Sequence, residues 1–179
     1  MTFQLHRCSL ESFQLIKTRV LNNQPVSFEE TAEESCCFDK TYEGLKYLLI
    51  KTCGEFINIL FSPESSISAV DFNSDHYKNL PIDEKVEIYL NTIQANYLDS
   101  RDLADVWKCV KDTDESVLYK YYDAADMNKR AVYPGTWETK YTENHFTNAE
   151  TIVMDFLKLK SFLSRCLSNG VFVFVEYRD

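Results

Sequence analysis

The segment 171–177, VFVFVEY, constrains the fold of this chain more than any other part of the sequence. It is an almost unbroken run of β-branched and aromatic residues, and such a run is typical of a strand that is covered on both faces of a sheet. A helix predicted just before it, over 147–167, has a wide apolar face at helical spacing. We therefore expect a sheet that packs beneath this last helix.

The last helix carries signals at both ends. Thr147 with Glu150 three residues later predicts a capping box at its start, and Asn169-Gly170 predicts its end. The apolar face is predicted to consist of Ile152, Val153, Phe156, Leu159, Phe162, Leu163, Cys166 and Leu167.

The N-terminal residues 2–8 alternate in a strand pattern, with Phe3 and Leu5 on one side and Gln4 and His6 on the other. This strand is the natural partner for the C-terminal one. Ser9 is predicted to cap a following helix. That helix has the apolar residues Leu10, Phe13, Ile16, Val20 and Leu21. We predict one α+β domain over 1–179, with a small antiparallel or mixed sheet that includes both terminal strands and is packed by several helices.

Three further helices are predicted in the middle of the chain. The first is capped by Asp39 and ends at Gly54, the second is capped by Ser100, and the third spans 114–122. The first helix has the buried stripe Tyr42, Leu45, Leu48 and Leu49, and the second has Leu103, Val106 and Val110.

The segments between these helices have weaker patterns. Residues 27–35 are predicted as an acidic loop and 62–80 as irregular structure. Residues 56–61 and 81–93 fit either a helix or a strand. Pro134-Gly135 predicts a turn.

The charge of the chain limits its partners. It carries 28 acidic and 19 basic side chains, for a formal net charge of −9. A negative surface repels phosphate backbones and anionic membranes, so we expect no nucleic acid and no membrane as partner, and we favour a basic protein. No stretch approaches 18 apolar residues and the first residues carry no apolar run, so a cytoplasmic protein with reduced thiols is expected.

The sequence contains no standard catalytic motif. His6, His76 and His145 lie far apart, so a shared metal ion is not expected. Carboxylate pairs such as Asp99 with Asp102 arise often by chance in a chain with 28 carboxylates. Cys36-Cys37 precedes a predicted helix, but the glutamates before it oppose thiolate formation, and burial is the favoured interpretation. We predict a non-enzymatic protein without cofactor or metal.

Two acidic segments are the candidate binding surfaces. Tyrosine supplies contact area at low entropic cost, and carboxylates meet the Lys or Arg side chains of a partner. The candidate partner-binding residues are Glu29, Glu30, Glu33, Glu34, Asp112, Asp114, Glu115, Tyr119, Tyr121, Tyr122, Asp123 and Asp126.

Several segments resemble one family. Asp39-Lys40-Thr41-Tyr42, followed by Leu45, is similar to the D-K-x-aromatic-x-x-L helix of the YfbM-like family, a group of small bacterial domains of unknown function (domain of unknown function 1877). Met127 followed by Val132-Tyr133-Pro134 and Trp137 resembles the family's M-x-x-x-x-[IV]-Y-P-x-x-W stretch. The ending resembles the family's last helix and strand, whereas residues 55–98 match poorly.

The resemblance implies an α+β fold and a bacterial cytoplasmic protein, with no known activity and no catalytic residues. We interpret Tyr133, Pro134 and Trp137 as a structural corner in which proline fixes the turn and the two rings cover the core. The remaining residues of the motif are likewise interpreted as structural, and they are Asp39, Tyr42 and Leu45.

Three functions agree with these features. The first is an immunity protein that neutralises a cognate bacterial toxin by occluding a basic cleft, which acidity, small size and tyrosine-rich acidic segments favour. The second is a small-ligand-binding protein or an enzyme with an unrecognised site around residues 99–122. The third is a housekeeping structural subunit.

Overall fold

The computed structural model describes residues 2–140, 147–168 and 170–178. Its strands are β1 (Thr2–Cys8), β2 (Glu34–Phe38), β3 (Ser65–Ser68), β4 (Gln94–Leu98) and β5 (Phe172–Arg178). Its helices are α1 (Leu10–Leu21), α2 (Phe28–Thr31), α3 (Tyr42–Cys53), α4 (Asn58–Phe61), α5 (Asp75–Lys78), α6 (Ile82–Asn91), α7 (Ser100–Val110), α8 (Glu115–Tyr121), α9 (Ala124–Lys129) and α10 (Ala149–Arg165), with a 3-10 turn at Glu55–Ile57.

The strands form one antiparallel sheet in the order β2-β1-β5-β4-β3, so the fold is α+β as predicted. The C-terminal strand β5 lies in the middle. It pairs on one side with β1, where Val175 lies opposite Leu5, and on the other with β4, where Val173 lies opposite Leu98. The predicted pairing of the two terminal strands is confirmed.

Helices cover both faces of the sheet, which explains the two-sided apolar pattern of β5. Leu5 and Val175 face one core, to which α3 and α10 also contribute. Phe174 faces a second core on the opposite side, where it meets Phe13 and Ile16 of α1. Because both sides are covered, the polar residues Gln4 and His6 of β1 are buried as well.

Several helix caps lie one or two residues from their predicted positions. Ser9 caps α1 as predicted, accepting from the backbone N of Ser12. Asp99, not Ser100, caps α7, and Asn148, not Thr147, caps α10. The residue before α3 is Thr41 rather than Asp39. In α7 and α10 the side chain that reaches the free amides of the first turn belongs to the residue just outside the helix, and adjacent polar residues make that residue hard to identify from sequence.

The weaker segments are mostly more ordered than predicted. Residues 27–35 contain α2 and the start of β2 rather than a loop, and 62–80 contain β3 and α5. Residues 56–61 and most of 81–93 are helical. Of the two alternatives that the sequence left open, the helix is therefore the correct one for both segments.

Three further predictions have separate outcomes. Leu167 is 43% exposed and so lies outside the buried face of the last helix. Asn169 and His145 lie outside the described residues. Across the part of the chain that the structure describes, no helix has both the length and the apolar character that crossing a membrane requires.

Candidate functional site

The first predicted acidic segment is bound to arginines from distant parts of the chain. The Arg165 guanidinium on α10 donates to both carboxylate oxygens of Glu34, at 3.0 and 3.1 Å from Nε. This hydrogen bond lowers the pKa of Glu34. Glu34 thus joins the edge strand β2 to the last helix.

Two more glutamates of this segment have arginine partners. Glu33 lies 3.4 Å from Arg7, and Glu29 accepts from Arg178 at 2.7 Å. Glu30 is exposed, and no ion pair reaches it within the described residues. The sequence therefore located a real acidic cluster, but three of its four carboxylates already meet a positive charge inside the same molecule.

His6 is fully buried beside this cluster. Its Nδ1 lies 2.8 Å from Ser35 Oγ and its Nε2 lies 3.1 Å from Glu176 Oε2, and the ring stacks on Phe28 at 5.5 Å. Burial lowers the pKa of His6, against the opposing effect of Glu176. The contacts link the three adjacent strands β2, β1 and β5 through one side chain.

The second acidic segment is more accessible. The Asp112 side chain is 82% exposed, and Tyr119 and Tyr121 are 45% and 40% exposed on α8. Asp114 caps α8 by accepting from Val117 N at 3.1 Å, and its pKa is lowered by hydrogen bonds from Ser116 and this amide. Glu115 occupies the first turn of α8, where a negative charge is favourable.

The end of this segment has internal partners. The hydroxyl of Tyr122 donates to Glu138 O at 2.6 Å, and burial raises the pKa of Tyr122 to about 12. Asp123 caps α9. Asp126 accepts hydrogen bonds that lower its pKa, and its donors are Tyr47, Lys51 and Arg130. No hydrogen bond or ion pair among the described residues joins this segment to residues 29–34.

The corner around Trp137 fits closely against α3. Trp137 is 3% exposed and donates from Nε1 to Val132 O at 2.8 Å. A Cβ added at Gly44 would lie 2.2 Å from the Trp137 ring, so only glycine leaves room for it. Pro134 follows a cis peptide bond, and Tyr133 is 41% exposed, so one ring rather than two covers the core.

The other family-like residues divide in the same way. Tyr42 and Leu45 are 2% and 1% exposed in the first core, whereas Asp39 is exposed. Asp39 lies beside a cleft of about 630 Å³ that also borders the Trp137 corner. The cleft is lined by Cys37, Asp39, Lys40, Thr41, Pro134, Thr136, Thr147, Thr151, Asp155 and Lys158.

The two motifs that carried the family resemblance therefore meet at this cleft. Burial raises the pKa of Asp155, and Thr41 donates a hydrogen bond to its carboxylate. Lys158 donates to the carbonyl of Cys37. The side chain of Lys40 is exposed. The cleft offers hydroxyl, carboxyl and ammonium groups to a small polar molecule.

Other candidate chemistry resolves into structural contacts. Asp99 and Asp102 form a reciprocal capping box on α7.

The cysteine pair is only partly buried. Cys36 is buried, and burial raises its pKa to about 12. Cys37 is exposed, so the predicted burial of the pair is wrong for Cys37. Both lie in β2, since α3 begins only at Tyr42. The described ranges contain no cluster of three or more His, Cys, Asp or Glu side chains suited to a metal ion.

Comparison with known proteins yields a family and a fold. A family model described as a domain of unknown function, DUF1877, matches residues 4–175. A solved structure titled as a protein of unknown function, YfbM from Escherichia coli, superposes with a TM-score of 0.60 at 14% identity, over 99% of this chain and 100% of that one. No curated protein matches the chain. At this identity the structural likeness supports the fold alone.

Proposed function

The chain belongs to the DUF1877 family of domains of unknown function, and we propose that it is a non-enzymatic, protein-binding domain of the immunity type. In this proposal it neutralises a cognate bacterial toxin by occluding a basic cleft. The formal charge of −9 supports a basic partner, because opposite charges steer association.

One observation carries the proposal, namely the accessible tyrosine and carboxylate surface of α8. Glu115 and Tyr119 are four residues apart on this helix and so share a face. Asp112 precedes the helix with a largely exposed carboxylate. Asp112 has one long ion pair, to Lys111 at 3.9 Å, and its side chain stays 82% exposed. An aromatic anchor beside accessible carboxylates is the kind of surface on which binding hot spots form.

The first acidic segment has a smaller part in this proposal. Glu29, Glu33 and Glu34 are held by arginines, so a partner has to displace those ion pairs before it gains new ones. Glu30 is the accessible member of that segment. The binding surface is therefore centred on α8.

The test is co-expression with the toxin encoded by the neighbouring reading frame. We expect Asp112→Lys with Glu115→Lys to slow association with the toxin and to reduce protection, because two steering charges are reversed. The double variant Glu11→Lys with Glu55→Lys changes the net charge equally on α1 and on the 3-10 turn, so it is the matched control. If both double variants protect as well as the parent, this surface is not the binding site. If the parent gives no protection, the immunity function is wrong.

A second candidate function, binding of a small polar molecule, is favoured by the cleft between the two family-like motifs. Lys40 and Lys158 line it together with Asp155, which favours a ligand that carries a negative charge and a hydrogen-bond donor. Thermal-shift screening with small carboxylates and phosphates tests this function. A stabilising compound that loses its effect in Lys40→Ala supports it, and a screen without any such compound counts against it.

A further inference from the structure

The hairpin strands β3 and β4 are separated by a long excursion, of which Ile93, just before β4, packs against the second core. No residue from 68 to 94 is buried. The excursion contains α5 and α6. Apart from Ile93, it is therefore a surface feature that contributes little to the two cores.

Helix α6 exposes an apolar stripe to solvent. The exposed fractions are 79% for Ile82, 51% for Val86, 57% for Tyr89 and 75% for Leu90. These positions are i, i+4, i+7 and i+8, which lie on one helical face. A helix of a globular protein usually buries such a face, and a contiguous exposed apolar patch commonly marks an interaction site.

The helix that carries the stripe is anchored at both ends. The hydroxyl of Tyr77 donates to Lys85 O at 3.1 Å, and Phe72 contacts the Tyr77 ring edge-on at 4.9 Å. At the other end the side chain of Asn23 donates to Asn91 O at 3.0 Å and accepts from the backbone N of Ile93 at 2.8 Å. Because folding has already ordered this helix, a partner that binds it loses little further conformational entropy there.

The border of the stripe is acidic. Asp83 and Glu87 follow Ile82 and Val86 by one position each, so their side chains lie along one side of the stripe. No ion pair reaches either carboxylate in the described part of the chain. The ammonium group of Lys85 donates a hydrogen bond to Lys78 O at 2.6 Å, so it is partly used within the excursion.

We propose that the exposed face of α6 binds a basic amphipathic helix of a protein partner. Apolar side chains of that helix lie on the stripe, and its Lys or Arg side chains meet Asp83 and Glu87. A second copy of this chain is a poorer occupant, since a symmetric α6 pair brings four carboxylates together. The surface differs from that of α8, and this inference holds for a partner of any activity.

The experiment uses two labelled synthetic helical peptides that share one leucine stripe. One carries lysines beside the stripe and the other carries glutamates at the same positions. We expect the lysine peptide to bind the parent protein, and Ile82→Ser with Leu90→Ser to weaken that binding about tenfold or more, measured by fluorescence anisotropy. Asp83→Asn with Glu87→Gln is expected to weaken binding and to flatten its dependence on salt.

The matched control is Met154→Ser with Leu157→Ser. These residues are 69% and 43% exposed on α10, so the control removes the same kind of exposed apolar surface elsewhere. It is expected to bind the lysine peptide like the parent. Because all four positions are exposed, the far-ultraviolet spectra and melting temperatures of both double variants are expected to match the parent.

Four outcomes overturn the inference. They are equal binding of the glutamate peptide, equal loss of binding in the control, self-association of the parent that Ile82→Ser with Leu90→Ser abolishes, and binding to neutral phosphatidylcholine vesicles that the same variant abolishes. The third identifies a second copy as occupant, and the fourth identifies a lipid surface. None of them bears on the α8 surface, which the co-expression test addresses separately.

Discussion

The packing of Trp137 against α3 determines which residue can occupy position 44. The Cα of Gly44 faces the Trp137 ring, with Ile152 next to it, and an added methyl group would overlap both side chains. A glycine inside a helix costs stability relative to alanine, roughly 0.5–1 kcal/mol. At this position the loss is offset by burial of an indole.

We expect Gly44→Ala to lower the free energy of unfolding by about 1–3 kcal/mol, because of overpacking. Trp137→Ala is expected to lower it by about 3–5 kcal/mol, as for other buried aromatic residues. In the Trp137→Ala background the cost of Gly44→Ala should become smaller, since the overlap with the indole is gone and the remaining close contact is with Ile152 Cδ1, the end of a flexible side chain. Urea unfolding of the four proteins measures this coupling, and additive costs would contradict the packing described.

His6 makes stability depend on pH in a predictable direction. Its pKa is lowered by burial from the ordinary value of 6.5, so the unfolded chain binds a proton more readily than the folded one does. The stabilising effect of a neutral His6 is fully present above about pH 6.5 and is lost as the pH falls from there toward the folded pKa, at no more than about 1.4 kcal/mol per pH unit.

The measurement compares urea unfolding of the parent and of His6→Gln between about pH 8 and about pH 5, a range that includes the ordinary histidine pKa. The parent is expected to lose more stability than the variant over this range, and the difference isolates His6 from the carboxylates. A proton titration of the His6 ring by NMR that gave a pKa above the ordinary value would show that this account is wrong.

The candidate site was predictable from sequence only as far as residue type. The density of glutamates at 29–34 was evident, but their partners Arg7, Arg165 and Arg178 come from β1, α10 and β5. Such pairings depend on tertiary structure, which no spacing along the chain reveals. The lining of the cleft was missed for the same reason, although both motifs that border it were recognised.

At the scale of elements, the capping box of α7 gives the Asp99 and Asp102 pair a structural role. Asp99 accepts from the backbone N of Arg101 and Asp102, and Asp102 accepts from the backbone N of Asp99. We expect Asp99→Ala to cost about 1 kcal/mol, whereas Asp99→Asn retains most of the cap. Thermal or urea unfolding distinguishes the two. Equal losses in both variants would mean that the negative charge, rather than the hydrogen bonds, is what matters.

The elements that the sequence predicted well are the long ones with a regular apolar pattern. α1, α3, α10, β1 and β5 were placed to within a few residues. β3 and β4 were missed because they are only four and five residues long and include polar positions. α6 stayed ambiguous because Val86, Ile88 and Leu90 alternate as in a strand, whereas Ile82, Val86 and Tyr89 follow helical spacing.

At the scale of the whole molecule, the two cores share the strand β5. Val173 and Val175 belong to one core, while Phe174 lies between them in sequence and contacts Phe28 at 5.1 Å in the other. A substitution that destabilises one core therefore also destabilises a strand that forms part of the other core. The domain is expected to unfold as one cooperative unit.

Leu45→Ala in the first core and Phe174→Ala in the second test this expectation. Each is expected to lower stability by several kcal/mol, about 2–5 for leucine and 3–5 for phenylalanine. In both variants the near- and far-ultraviolet circular dichroism signals should shift together along the urea axis. Separate transitions for the two signals in either variant would mean that the cores unfold independently.

The central position of β5 has a consequence for synthesis on the ribosome. β5 follows the other four described strands along the chain, yet it is the strand that joins β1 to β4. Until its residues leave the exit tunnel, β1–β2 and β3–β4 are two separate ribbons, and the inner edges of β1 and β4 have free amides and carbonyls. Unpaired edges of this kind recruit other strands. The nascent chain therefore depends on translation reaching β5 before those edges meet a neighbour on the polysome.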